Sequence, residues 1–249
     1  MACKECNGRG EVITSSTYSK CRCKLNEAFG HLLAKNVPPA YHWVKLSTLE
    51  PSDKSRLPQA KQKEIYDLIR ANPDSSYALF GPVGTSKTVC SVALYRHALA
   101  KELKKIWDAT TYLKGFEYRV YRANEIPVWR ITAKQVLREF HDFAINRPIT
   151  DVDGREIGGA SSPTVNRKKI EKYYRQGFIS HVVLEEIDKV ATTDTRQYDL
   201  FEIFDAVTEN LGQIVINTNL TKQEFQDTYG VDIVRRIADF CTVIDLFEK

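Results

Sequence analysis

The stretch "GPVGTSKT", residues 81–88, constrains the fold of this 249-residue chain more than any other feature. It follows the phosphate-cradling pattern G-x-x-x-x-G-K-[ST] at every fixed position but one, where Ser86 replaces the second glycine. The run "SYALF" before it has the length and apolar content of a buried strand, and "TVCSVALYRHALAKELKKIW" after it has helical spacing. A strand, a glycine-rich turn and a helix in that order suit phosphate binding. Backbone N–H groups form a concave nest, and the helix N-terminus adds the positive end of its dipole.

The rest of the chain from residue 60 continues the alternation. "AKQKEIYDLIRAN" reads as a helix, "FEYRVYRANEIPVWRITA" as β-prone, "AKQVLREFHDFAI" as a helix and "ISHVVLEEID" as a strand. "YDLFEIFDAVTEN" is then helical, "GQIVINTN" a strand, "TKQEFQDTY" and "VDIVRRIADF" helices, and "CTVIDLF" a last strand. Strands separated by helices predict an α/β fold, a three-layer αβα arrangement around a mainly parallel sheet. Residues 146–169 form one long polar stretch that reads as an exposed loop.

Within the loop, Gly81, Pro82, Val83, Gly84, Thr85 and Ser86 are expected to cradle the phosphates of ATP. Lys87 would reach the outer phosphates and Thr88 would place its hydroxyl on Mg²⁺. Cys90, in the first turn, is counted with this nucleotide-binding set, although its apolar context favours a small core residue. Ser86 keeps its backbone donor but adds a β-carbon and a hydroxyl, so the expectation is a weakened or reshaped site. "HVVLEEID" supplies acids at a strand end: Glu185 to orient Mg²⁺ and Glu186 to polarise an attacking water, with Asp188 two residues on. Glutamate at 185, where aspartate is usual, moves the carboxylate by a methylene, and Mg²⁺ tolerates displaced ligands poorly. Asn217 and Asn219 are expected to share a face at the end of another strand. Arg235 and Arg236 are candidates for transition-state charge neutralisation across a subunit boundary, or plain surface charge.

Four of the six cysteines, Cys3, Cys6, Cys21 and Cys23, lie in residues 1–24, in two pairs separated by the β-prone "EVITSSTY". A ribbon of two knuckles joined by a hairpin and holding Zn²⁺ is expected, with free thiols on a tail as the alternative. Cys90 and Cys241 lie in apolar contexts far away. Residues 25–60, with "LNEAFGHLLAKN" and a proline-rich stretch, read as a connector, and His31 as a surface or packing histidine. The net charge of +4 is modest, so the chain is not a histone-like polyanion binder, and the excess sits in residues 1–60. No apolar run is long enough to span a bilayer and no signal-peptide pattern opens the chain, so a cytoplasmic protein without a membrane partner is expected.

The ordered series "CKECNGRG... CRC", "VPPAYHWVKLSTLE", "YALFGPVGTSKT", "VVLEEID", "YDLFEIFDAV", "IVINTNLT" and "VRRIADF" resembles DnaC-type AAA+ proteins, the bacterial and phage replicative helicase loaders and their IstB-type transposition relatives. The resemblance implies an AAA+ domain over 61–249 without a substantial lid domain. It assigns Glu185 to the Walker B aspartate position, Glu186 to the catalytic glutamate, Asn219 to sensor 1 and Arg236 to the arginine finger, with Arg235 as its neighbour. It further implies a homo-oligomer that binds single-stranded DNA and grips a replicative DNA helicase through the N-terminal region. A duplex-bound transposition regulator and a scaffold with little ATPase activity are the competing readings. Ser86 and Glu185 depart from the family pattern around one magnesium–nucleotide pocket.

Overall fold

The computed structural model describes residues 3–14, 17–122, 126–132, 149–150, 156–158, 180–189, 204, 207–208 and 212–247. Five parallel strands form the central sheet: β3 (Tyr77–Phe80), β4 (Val128–Thr132), β7 (His181–Glu185), β8 (Gln213–Thr218) and β9 (Thr242–Asp245). Their order across the sheet is β4-β7-β8-β3-β9. β3, β7 and β8 are buried along their whole lengths, which explains why they read as near-continuous apolar runs: a parallel sheet is covered on both faces.

The two covers are distinct. Leu79, Val183 and Val215 point to a core built with α1 (Arg22–Asn36), α2 (Gln59–Ala71) and α3 (Lys87–Ala109). Ala78, Phe80, Val182, Leu184, Ile214 and Ile216 point to the opposite core, closed by α5 (Lys222–Tyr229) and α6 (Val231–Phe240). The three-layer αβα expectation holds. α5 begins with Thr221 and Glu224 capping each other reciprocally, which satisfies N–H groups that the helix start leaves open.

Three segments differ from their sequence reading. Residues 25–60 do not merely connect: Ala28, Leu32, Leu33, Val37, Val44, Leu49 and Leu57 all lie in the first core, each buried leucine or valine worth roughly 1.5–3 kcal/mol. Tyr118–Arg122, read as β-prone, is a π-helical turn that continues α4 (Leu113–Glu117) and buries Val120. Within the long polar stretch, β5 (Ile149–Thr150) pairs antiparallel with β6 (Glu156–Gly158). The expected helix over 133–145 lies outside the described residues, as does the helix over 198–210 except for Phe204, Val207 and Thr208, which are helical.

At the N-terminus, β1 (Glu11–Ile13) and β2 (Tyr18–Lys20) form the expected hairpin. It is docked on the far end of α3. The Lys20 ammonium donates to the carbonyls of Trp107 and Thr110 and stands 4.5 Å from the Trp107 ring centre. A cation at that position complements the negative end of the helix dipole. Tyr18 donates its hydroxyl to Glu11 at 2.8 Å and accepts the Leu113 N–H at 3.0 Å. Gly10 makes the close approach possible: its φ is +81°, and a β-carbon there would lie 2.6 Å from the Lys24 side chain. Among the described residues no helix is long and apolar enough to cross a membrane.

Candidate functional site

The four cysteine sulfurs lie within 4.8 Å of one another, with Cys3–Cys21 at 3.6 Å and Cys6–Cys23 at 3.4 Å. Tetrahedral zinc with bonds of about 2.3 Å sets sulfurs roughly 3.8 Å apart, so the donor set fits. The tight C-x-C spacing works because Cys21 precedes α1 and Cys23 sits in its first turn. Burial raises the Cys6 pKa, but the Gly10 N–H at 3.2 Å and the neighbouring thiols outweigh it and bring the group down to about 7. Burial pushes Cys23 the other way. Four sulfurs this close cannot all ionise without a cation among them. His31 stands apart, edge-on to Tyr121.

The phosphate loop leaves β3 at the C-terminal edge of the sheet, where α3 begins. Gly81 admits no side chain, since a β-carbon would meet Leu246 Cβ at 2.5 Å, and Gly84 has φ +87°. The loop is braced from outside by the Arg56 N–H, which donates to the Gly84 carbonyl at 2.9 Å, and by the Ser55 hydroxyl on the same oxygen at 3.3 Å, and from within by the Thr85 hydroxyl, which donates to the Pro82 carbonyl at 2.8 Å. Ser86, immediately before α3, has φ +65°, the left-handed conformation in which glycine is at ease. Its hydroxyl lies 3.1 Å from that of Ser55.

Lys87 is 8% exposed, and its ammonium donates to the carbonyls of Gly81 and Pro82 and, at 3.0 Å, to Asn219 Oδ1. Burial lowers its pKa to about 8, opposed by the charge of Asp188. Asp188 takes both donors of Asn219, the backbone N–H at 3.0 Å and Nδ2 at 2.9 Å, which turns the amide oxygen toward Lys87. The sequence had offered Asp188 without a role; here it orients the amide.

Because β8 separates β3 from β7, its polar end lies between the phosphate loop and the acids. Asn217 is 5% exposed, faces the cleft, and leaves both amide atoms without a hydrogen-bond partner. Glu185 is also buried: Oε1 accepts from the Ser91 hydroxyl at 2.9 Å and Oε2 is ion-paired with Arg130 on β4. Glu186 has φ +56°, is exposed, and pairs with Lys189 at 2.5 Å. A glutamate held in that conformation costs roughly 1–2 kcal/mol, and such strain gathers at functional sites. The cleft occupies about 870 Å³ and is lined by Tyr41, Trp43, Leu49 and Tyr66 together with Thr88, the acids and the two asparagines. That volume suits a nucleotide-sized ligand.

The site therefore brings together the loop from Val83 to Thr88 with Glu185, Glu186, Asn217 and Asn219. Cys90 departs from the nucleotide-binding set: its side chain is 1% exposed in the core, burial pushes the thiol up to about 12, and its N–H is spent on the Ser86 carbonyl. Cys241 is likewise buried. Arg235 and Arg236 lie on α6, where Arg235 is exposed and 3.4 Å from Asp232. Sequence reasoning missed Ser91 and Arg130. Ser91 carried no distinguishing signal, whereas an arginine inside the β-prone "VWRIT" did.

A phosphate loop opening a helix at the edge of a parallel αβα sheet, faced by acids from a non-adjacent strand, defines a P-loop nucleotide-binding fold. Within that class the fold is similar to those of the DnaC helicase loader and DnaI. It superposes on the DnaC helicase loader with a TM-score of 0.51 at 15% identity, covering 84% of this chain and 99% of that one. DnaI gives 0.50 at 12% identity, over 84% and 94%. A DNA replication initiation factor gives 0.50 at 14%, over 82% of this chain and 49% of that one, so the chain spans about half its length. No protein-family model matches the sequence. No curated protein matches it either.

Proposed function

We propose that this protein is an ATP-dependent loader of a replicative DNA helicase. The observation that carries the reading is the junction of Lys87, Asn219 and Asp188 at the mouth of a braced phosphate loop, on a fold shared with the DnaC helicase loader and DnaI. ATP places its phosphates on the N–H groups of residues 83–88, and its base lies toward Tyr41, Trp43 and Tyr66. Lys87 trades neutral carbonyls for charged phosphate oxygens, which make stronger hydrogen bonds. Thr88 and Glu185 would hold Mg²⁺, which supplies charge neutralisation on the phosphates. Glu186 polarises the attacking water once it leaves Lys189, Asn219 holds the outer phosphate, and Arg236, with Arg235 beside it, reaches the site of an adjoining copy. Single-stranded DNA binds the resulting oligomer, and the zinc-bearing N-terminal segment grips the helicase.

Hydrolysis is slow in this reading, because Glu185 is already engaged and Glu186 needs a rearrangement. ATP binding is then the switch. Co-purification with the replicative helicase of its own replication system tests the assignment: the complex is expected to form with wild type, to weaken with Cys3→Ser, and to release the helicase on adding ATP and single-stranded DNA. Absence of any helicase complex would remove the loader assignment and leave a nucleotide-binding scaffold.

A further inference from the structure

On the α3 face of the sheet, Glu185 closes β7 level with Thr132 of β4, Asn217 lies near the end of β8, and Arg130 stands one step back, level with Val183. Val183 and Val215, the residues level with Arg130 on β7 and β8, are core valines, as is Val128 two residues before it on β4. Burying an arginine and a glutamate there is costly unless each charge is paired. The guanidinium of Arg130 is the piece that makes it possible. Its side chain is 10% exposed, one nitrogen is ion-paired with Glu185 Oε2, and another donates at 2.7 Å to the carbonyl of Asn36, the last residue of α1. Arg130 and Glu185 also line both the nucleotide cleft and a neighbouring 420 Å³ cavity walled by the end of α1, residues 34–39. The pair thus forms part of the partition between them.

This geometry gives the glutamate at 185 a reason. The neighbouring acceptor sites of its carboxylate are taken by Ser91, a turn beyond Thr88 on α3, and by Arg130 on the other side. The longer side chain reaches both. A fixed cation beside the acid reduces its pull on a second cation, since like charges within a few ångströms in a partly buried site repel strongly.

We propose that Arg130 is a positioning residue of the magnesium–nucleotide site: anchored on the carbonyl end of α1, it holds Glu185 and raises the magnesium concentration the site needs. The inference rests on the nucleotide-binding reading above. Lysine can keep the charge beside Glu185 but lacks the planar fork that serves two acceptors at once. The test is a magnesium titration of binding, not turnover, at fixed N-methylanthraniloyl-ATP, on the full chain carrying zinc. R130Q and R130M, two neutral replacements, are expected to lower the half-saturating magnesium concentration roughly fivefold to tenfold, and R130K to stay within twofold of wild type. Circular dichroism melts identify whichever neutral variant folds, and that variant is compared with wild type and R130K. Neutral variants with an unchanged or raised magnesium midpoint would overturn the role of Arg130 while leaving nucleotide binding intact. A wild-type protein that binds no nucleotide at any magnesium concentration would overturn both readings.

Discussion

Replacing Ser86 tests the conformation of the phosphate loop directly, because alanine and glycine there make opposite predictions for opposite geometries. At φ +65° a residue with a β-carbon is disfavoured by roughly 1–2 kcal/mol, and glycine escapes that cost. Glycine loses about 0.5–1 kcal/mol of it back through the greater freedom of its unfolded chain. It also gives up the Ser55 contact at 3.1 Å, a bond of about 0.5–1.5 kcal/mol. Ser86→Gly is therefore expected to be nearly neutral in the free protein. Ser86→Ala keeps the strain and loses the bond, so it is expected to be about 1 kcal/mol less stable than wild type. Urea unfolding followed by tryptophan fluorescence measures the difference, with glycine above alanine by about 1 kcal/mol. Were residue 86 an ordinary right-handed helical residue, alanine would exceed glycine by about 1 kcal/mol instead. That sign would refute the left-handed loop. Ser86→Gly is also expected to tighten ATP binding, since it clears a β-carbon and hydroxyl from the cradle.

Removing zinc with a chelator, or Cys3→Ser, is expected to undock the hairpin and strip Lys20 from the end of α3, lowering the melting temperature by about 2–4 °C for each kcal/mol lost; a metal assay should find one zinc per chain. His181, buried at the start of β7, has its pKa pulled down by burial to about 4. The unfolded chain then binds more protons than the folded one below about pH 6.5, so stability falls as pH drops from there toward 4, by about 1 kcal/mol at pH 5.5. His181→Gln is expected to flatten that part of a stability-against-pH profile. Asn217→Val is expected to stabilise the free protein by about 1 kcal/mol, because a buried amide with no partners is replaced by a strand-forming apolar residue, while ATP affinity falls. Denaturation and nucleotide titration on the same variant check both halves.

The sheet was legible because its strands are short apolar runs bounded by turns and helical patterns, and the phosphate loop fixed which strand leads into α3. Glu185, Glu186 and Asn219 could be placed for the same reason: acids and amides that end buried strands have one edge on which to emerge. Arg130 and Ser91 could not, because their meaning lies in β4 neighbouring β7 and in the side of α3 that faces it, contacts between residues far apart in sequence. The apolar context of Cys90 pointed to the core, where a helix beginning at Lys87 turns that position, whereas proximity to the loop was no sign of nucleotide contact. Residues 25–60 looked like a linker from their prolines, yet Leu32, Leu33, Val44 and Leu49 pack into the main core. Proline content reports backbone conformation, not burial. The turn at 118–122 shows β-propensity giving way to packing, with Val120 buried beside α4.

The measurement that bears most directly on the central claim is equilibrium binding of ATP with magnesium, monitored through Trp43 at the rim of the cleft, for wild type and Lys87→Ala. The account predicts saturable binding by wild type, and a loss of roughly 30-fold or more when the buried ammonium at the mouth of the loop is removed, in line with about 2 kcal/mol for a charge-assisted contact. Equal affinity of the two proteins, or no binding by wild type, would contradict it.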